Sequence, residues 1–537
     1  MEMAFTRKFV SKKLMVTVLC GLLYLSCQLK KDSAESTGKN NRFRFLEYTI
    51  PQIQEGYLNG EFTIEEVVQS YLNRIEAIDK NGPGLNAVIQ VNPEALEIAR
   101  SLDQGMRSGR KRSPMYGIPV LLKDNIDTHD QMATTAGSRA LMGSHPLKDS
   151  RVAKLLREAG AVILGKANLS EWANFRGELS TSGWSGLGGQ TRNPYGLERN
   201  PCGSSSGSGV AVSANLCMAA IGTETNGSIV CPATANGIVG VKPTVGLISR
   251  SGIIPISFTQ DTPGPMTRTV RDAAICLGVL AGIDSSDEKT PQSRHHNYTD
   301  YTAFLRTDGL RGKRIGFYRK PMGHHFKVDT LMEHAVQAIR EQGAEIVEVE
   351  QILDPEIDAL SFEVMLYEYK QGLNDYFASL GPDAPIHNLE ELIAFNDSDS
   401  LELSIFNQKY LKMALEKGNL DSKEYRNALR RMQRGARKKG IDRVMDEHNL
   451  DAIMAPTGSP AWKTDWINGD AFILGSSSPA AISGYPNISV PMGFIEGLPV
   501  GISFFGRAWS EPVLLEIAYA YEQCTNHREP PQFKIEE

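Results

Sequence analysis

Two short stretches concentrate groups able to do chemistry: PCGSSSGSG at 201–209 and GTETNGSIVCPA at 222–233. Both are rich in glycine and hydroxyls, an apolar segment separates them, and no histidine lies between. A serine needs a base to become a nucleophile, so the first question is where that base comes from. The first stretch runs into VAVSANLCMAA and so stands at a helix N-terminus, where backbone N–H groups point outward. A phosphate cradle fits poorly, because GK[ST] is absent and the glycines do not match GxGxxG after a strand. A flexible linker is disfavoured by the apolar flanks. Gly203, Ser205 and Gly207 match the GxSxG form of a nucleophile elbow, but that device needs an apolar strand just upstream and a histidine downstream. TRNPYGLERNPC is no such strand, and His448 and His527 stand in polar surroundings.

The remaining base is Lys123, which follows GIPVLL and precedes Asp124 and Asn125. Alone, it reads as a strand-end lysine turned to solvent, and the NG pair at 226–227 alone reads as an ordinary turn. In combination and in this order, PVLLKDNI, GSSSGSG and GTETNGSIVCPA resemble the amidase signature family. NLSEWANFRG, GQTRNPY, GIVGVKPTVGLISRSGIIPIS, GPMTRTVRDA, GYPNISVPMG and LPVGISFFGR extend the resemblance over about residues 45 to 525. It implies a Ser–Ser–Lys triad of Lys123, Ser204 and Ser228, the two serines 24 positions apart as in the family. The wording TETxGSIVCP is most similar to bacterial peptide amidases, which remove the C-terminal amide from peptides. Cys202 and Ser206 stand where many members have Gly, Asn226 replaces Gly, and Val230 replaces Arg.

The resemblance implies a mechanism without histidine. Ser228 attacks an amide carbonyl, and its proton passes through Ser204 to a neutral Lys123. Burial must then bring the lysine from about 10.4 toward roughly 7 to 8, because desolvation disfavours the charged form. Ser204 is expected on a cis peptide, and Thr225, Asn226, Gly227 and Ser228 are expected to form the oxyanion hole through consecutive backbone N–H groups. No metal or organic cofactor is implied, and the partner is a small amide or peptide-amide substrate. Two alternatives stand beside this reading: the glutaminase subunit of an aminoacyl-tRNA amidotransferase, and a non-catalytic envelope lipoprotein that binds amidated ligands. An export signal weighs against the first, and an intact triad against the second.

The elements that must position these residues alternate between helix and strand. TIEE at 63–66 is a capping box followed by Val67, Tyr71, Ile75 and Ile78 at helical spacing. NGPG at 81–84 ends that helix, LNAVIQVN reads as a strand, and PEALEIARSLDQGM as a second helix. GIPVLLKDNI, AVILGKAN, KRIGFY, DAIMAPTG, YPNISVPMG and LPVGISFFG are further strands, with SRVAKLLREAG, LMEHAVQAIREQG and EPVLLEIAYAYEQ as helices. Apolar strands between helices predict an α/β fold, a twisted and mostly mixed sheet covered by helices on both faces. The expected organisation is one domain over 45–525 with a helical layer around 355–450, then a polar tail at 526–537. SSDEKTPQSRHHNYTDY at 285–301 reads as a surface connection, with His295 and His296 solvated.

The N-terminus reads as a leader. Arg7, Lys8, Lys12 and Lys13 precede the apolar run LMVTVLCGLLYLS, too short for a span but the length of a signal core. Cys27 follows directly, which resembles a lipoprotein processing site. The expectation is a signal peptide over 1–27, a polar tether over 28–44, and an exported, periplasmic or cell-envelope lipoprotein whose contact with a membrane is a lipid on Cys27. A formal charge of -6 and a pI near 6.0 supply no footprint for nucleic acid. RSGRKRSP at 107–114 holds no aromatic and reads as a solvated loop. Beyond Cys20 and Cys27 there are Cys202, Cys217, Cys231, Cys276 and Cys524, an odd set without a CxxC pair. The spacing predicts neither a disulfide framework nor a zinc site.

Overall fold

The computed structural model describes residues 43–106 and 112–535. The leader, most of the tether, Cys20, Cys27 and residues 107–111 of the basic stretch at 107–114 lie outside the described residues. The chain divides into two units, Met1–Leu46 and Glu47–Glu537. In the first, the described residues 43–46 open a turn.

In the second unit thirteen strands are present among the described residues: β1 (Val88–Val91), β2 (Pro119–Lys123), β3 (Val162–Ala167), β4 (Trp184–Ser185), β5 (Gly189–Gln190), β6 (Ala219–Glu224), β7 (Val239–Lys242), β8 (Thr262–Thr267), β9 (Arg314–Tyr318), β10 (Glu345–Val349), β11 (Ala452–Pro456), β12 (Asn487–Ile495) and β13 (Leu498–Phe505). Eleven form one sheet in the order β1-β3-β2-β6-β8-β7-β12-β13-β11-β9-β10. β3, β2 and β6 run parallel, as do β11, β9 and β10, while β8, β7, β12 and β13 form an antiparallel centre. The sheet is therefore mixed, and helices flank it. Every residue of β2, β3, β6, β8 and β13 is buried, as strands covered on both faces require.

Local chemistry sets the helix starts. Thr63 and Glu66 close the capping box that begins the helix Ile64–Arg74, and Thr49 with Gln52 does the same for Ile50–Asn59. Residues 355–450 are helical, with helices Glu356–Ser379, Leu389–Ser398, Lys409–Leu415, Lys423–Ala436 and Asp442–Glu447. Leu366, Tyr369, Leu373 and Phe377 of the longest pack in one core cluster with Trp172 and Phe175. A buried ion cluster braces the same region: Arg176 pairs with Glu171 and, at 2.9 Å, with Glu402, and all three side chains are fully buried.

One expectation needs correction. Cys202 and Cys231 form a disulfide, 29 residues apart, with Cα atoms 5.9 Å from each other. Spacing rules see local pairs only, whereas this bond joins the loop before Ser204 to the helix after Ser228. Cys217 and Cys276 are buried and free, and Cys524 is exposed. The polar segment after Thr525 is tied down by specific bonds. Arg528 pairs with Glu47 at 2.7 Å and donates to the carbonyls of Gly237 and Ser213 at 2.8 and 3.0 Å, while the Phe533 N–H donates to the Pro194 carbonyl. His295 and His296 are exposed, and the His296 ring stacks on Trp509. No helix among the described residues is long and apolar enough to cross a membrane.

Candidate active site

β2 ends on Lys123 and β6 ends on Glu224, side by side in the parallel part of the sheet. With Leu122 opposite Ile221, the register carries Thr223 to the tip of the Lys123 side chain. Lys123 Nζ lies 2.8 Å from Ser204 Oγ, 2.9 Å from Thr223 Oγ1 and 3.1 Å from the Thr223 carbonyl oxygen. Lys123 and Ser204 are fully buried. A neutral amine has two N–H donors and one lone pair. Thr223 supplies acceptors for both donors, which leaves the lone pair for the Ser204 hydroxyl. Burial lowers the Lys123 pKa from 10.5 to about 7, against the opposing pull of Asp261 and Glu224. Desolvation wins because neither carboxylate touches the ammonium: Glu224 Oε2 accepts from the Ile229 and Val230 N–H groups, and Asp261 from Thr225 Oγ1 and the N–H groups of Ile256 and Ser257.

The loop that presents Ser204 is fixed from several sides. The Gly203–Ser204 peptide is cis, and Cys202 has φ +58°. A Cβ on Gly203 would stand 2.1 Å from Ser170 Oγ, so no larger residue fits there. The Ser170 N–H donates to the Ser204 carbonyl at 3.0 Å, and the Ser205 N–H donates to the Ser228 carbonyl at 3.1 Å. That last bond sets the two serine segments against each other, and the Cys202–Cys231 disulfide links them a second time. No hydrogen bond joins the Ser204 and Ser228 hydroxyls among the described residues; the Lys123–Ser204 link is the one that is closed.

The nucleophile-elbow alternative fails on geometry. Ser205 is fully buried, accepts from the Thr223 N–H and donates to the Thr223 carbonyl. It serves as a staple between loop and strand.

The turn TNGS lies beyond β6. Gly227 has φ +84°, a conformation that favours glycine, which turns the chain sharply before Ser228. The backbone N–H groups of Asn226, Gly227 and Ser228 have no acceptor among the described residues. The Asn226 side chain is itself held, accepting from Ser477 Oγ at 2.7 Å and donating to Ser478 Oγ at 3.2 Å. Asn226, Gly227, Gly203 and the disulfide line a cleft of about 540 Å³. Among the described residues Asp470 is the one charged group on its wall, and its carboxylate is taken up by Ser182, Asn200 and Trp462. No histidine among the described residues lines the cleft. A larger cavity of about 810 Å³ lies against Asn125, Thr223 and Thr225 and carries Arg250, Asp287 and Asp375 on its walls. Asn226 and Gly227, two of the three residues with unclaimed N–H groups, border the smaller cleft.

The resemblance points to Lys123, Ser204, Thr225, Asn226, Gly227 and Ser228, and the fold gathers all six at the ends of β2 and β6. Cys27 lies outside the described residues. Three features go beyond what the sequence suggests. Thr223 holds the lysine amine, Asn125 Nδ2 donates to Thr223 Oγ1 at 3.1 Å, and Trp172, Ala173 and Asn174 run with φ of 51°, 54° and 73°. The polar neighbours KDN and GTET are the available signal for the first two; nothing in NLSEWANF announces the third.

A fully buried lysine against a serine hydroxyl, with unclaimed N–H groups at a second serine, is an arrangement suited to acyl transfer. The Amidase family model matches residues 66–515, and the chain belongs to that family. The peptide amidase from Stenotrophomonas maltophilia is 50% identical, with TM-score 0.88, covering 92% of this chain and 100% of that one. The Arabidopsis thaliana chain named "Probable amidase" is 41% identical over 93% of this chain and 94% of its own length. A chain of the glutamyl-tRNA(Gln) amidotransferase from Halorhodospira halophila is 34% identical over 90% of this chain and 99% of its own. The protein is an amide C–N hydrolase of the amidase signature fold, matching the bacterial peptide amidase branch.

Proposed function

We propose that the chain removes ammonia from the C-terminal carboxamide of peptides through an acyl-Ser228 intermediate. The observation that carries this reading is the pairing of a buried, weakly basic Lys123 on Ser204 with a cleft that offers no free charge and is bordered by Asn226 and Gly227. Ser228 Oγ bonds to the carboxamide carbon as its proton moves to Ser204 and the Ser204 proton moves to Lys123. The carbonyl oxygen takes up the electron pair and is held by the N–H groups of the Thr225–Ser228 turn. Collapse expels the amide nitrogen, which receives the lysine proton back through Ser204 and leaves as ammonia. Water repeats the sequence on the ester, giving a carboxylic acid and free Ser228.

Peptide amides are favoured over free glutamine by charge. Glutamine carries an ammonium and a carboxylate, which need partners when they leave water, and Asp470, the charged group on the cleft wall among the described residues, is already satisfied. The glutaminase reading keeps one supporting observation, the identity with the amidotransferase relative. A purely binding role would leave the lowered Lys123 pKa without a use. We further propose export with a lipid on Cys27 as the anchor. The Cys202–Cys231 disulfide supports it, since such bonds persist in oxidising compartments.

The test is ammonia release from a peptide amide, an aryl amide, a fatty amide and glutamine at equal concentration. The highest kcat/KM on the peptide amide supports the reading. Preference for glutamine transfers it to the glutaminase.

A further inference from the structure

We propose that Leu179, Trp466, Ile467 and Phe472 form an apolar clamp at the cleft mouth that grips the side chains preceding the scissile carboxamide, making apolar peptide amides the preferred class. The inference rests on the peptide-amide reading above. These four side chains are 65%, 53%, 85% and 51% exposed, an unusual density of large apolar surface for two short segments. Leu179 and Phe472 line the cleft that Asn226 and Gly227 also line, and Trp466 and Ile467 sit on the turn just before Asn468, another lining residue.

The turn is built to stay in place. Asp465 Oδ1 accepts from the N–H groups of Ile467 and Asn468 at 2.8 and 2.9 Å, and the Thr181 hydroxyl donates to the Asp465 carbonyl at 2.7 Å. Gly469 has φ +77° and lies so close to Leu179 that a Cβ there would stand 2.9 Å from the Leu179 backbone. Trp466 Nε1 donates to Gln190 Oε1 at 3.2 Å, which orients its ring, and Phe472 meets Trp462 edge-on at 6.0 Å. The two segments thus pack directly against each other and present exposed apolar tips on fixed bases at the rim of the cleft. The cleft they border offers no free charge, so a neutral chain enters and its side chains meet this apolar rim. A bilayer is the poorer occupant: residues 463–473 hold Asp465 and Asp470 against Lys463 alone, the wrong sign for an anionic surface.

The experiment compares N-acetyl-Leu-Phe-amide, N-acetyl-Asp-Asp-amide and N-acetylglycinamide as substrates of the wild type and of Trp466→Ala, Ile467→Ser and the double variant. The expected result is a wild-type preference for the Leu-Phe amide. In the double variant its kcat/KM should fall about tenfold or more, mostly through KM, with N-acetylglycinamide unchanged within about twofold. Binding of the Leu-Phe amide to Ser228→Ala should also shift tryptophan emission, and Trp466→Phe should remove that shift. Equal losses on all three substrates, or none, would overturn the clamp while leaving the peptide-amide reading intact. Failure of the wild type to release ammonia from any of the three would overturn both. Wild-type dimerisation, or co-sedimentation with phosphatidylglycerol vesicles, that Trp466→Ala abolishes would overturn the clamp by assigning the surface to another occupant.

Discussion

Lys123→Met replaces a buried amine by an apolar chain of similar length, and its two effects follow from one number. Burial holds the Lys123 pKa near 7, against an ordinary value of 10.5. In the wild type only the neutral amine accepts a proton, so kcat/KM should fall below pH 7 with unit slope and level off above. Without the amine that limb disappears, and turnover drops by roughly 10²- to 10⁴-fold, the usual loss of a general base. Stability moves the other way. Between pH 10.5 and 7 the unfolded chain takes up a proton that the folded chain refuses, so the wild type loses stability as pH falls through that window. A gap of about 3.5 pH units corresponds to on the order of 5 kcal/mol lost by pH 7, with no further loss below. The methionine variant carries no such penalty. The assay is a pair of Tm series from pH 6 to 11 beside kcat/KM from pH 5 to 10. The variant's advantage in Tm should grow steadily as pH falls from 10.5 to 7 and then stay constant. A pH-independent Tm difference, or an acid limb that survives in Lys123→Met, would refute the assignment of a buried, neutral lysine base.

Arg176→Met should destabilise by about 3 to 5 kcal/mol, because Glu171 and Glu402 are left as buried carboxylates without their cation; chemical denaturation checks it. Restoring apolar character at all three positions should recover much of that loss. Titration of the denatured, unreduced protein should find three reactive thiols among Cys202, Cys217, Cys231, Cys276 and Cys524, and five after dithiothreitol. Replacing Cys202 and Cys231 together by alanine should cost about 2 to 4 kcal/mol and lower kcat, since the cross-link spans the two serine segments. Mass spectrometry of the protein expressed in a bacterium should find an N-terminus at Cys27 carrying lipid; an intact Met1 in the cytosol would sink the export proposal.

What the sequence discloses and what it hides divide along physical lines. Apolar runs such as GIPVLL and AVILGKA announce β2 and β3 because buried parallel strands need continuous hydrophobicity. Lys123 stands out for the same reason, a charge at the end of such a run, although only its company with the two serine loops gives it a role. Thr223 does not stand out. It reaches the amine through the pairing of β2 with β6, 100 residues apart, and no local pattern encodes that register. The Cys202–Cys231 bond escapes sequence reasoning for the same cause: its partners meet because two loops converge. Arg528, in the polar tail, is held by distant carbonyls and Glu47, contacts that its local sequence does not encode.

The central claim is that Ser228 carries the acyl group. The most direct measurement is peptide mapping by mass spectrometry after an acid quench of enzyme turning over N-acetyl-Leu-Phe-amide. The account predicts an N-acetyl-Leu-Phe ester on the peptide that contains Ser228, absent from Ser228→Ala. An adduct on Ser205 or Ser204, or undiminished ammonia release by Ser228→Ala, would contradict it.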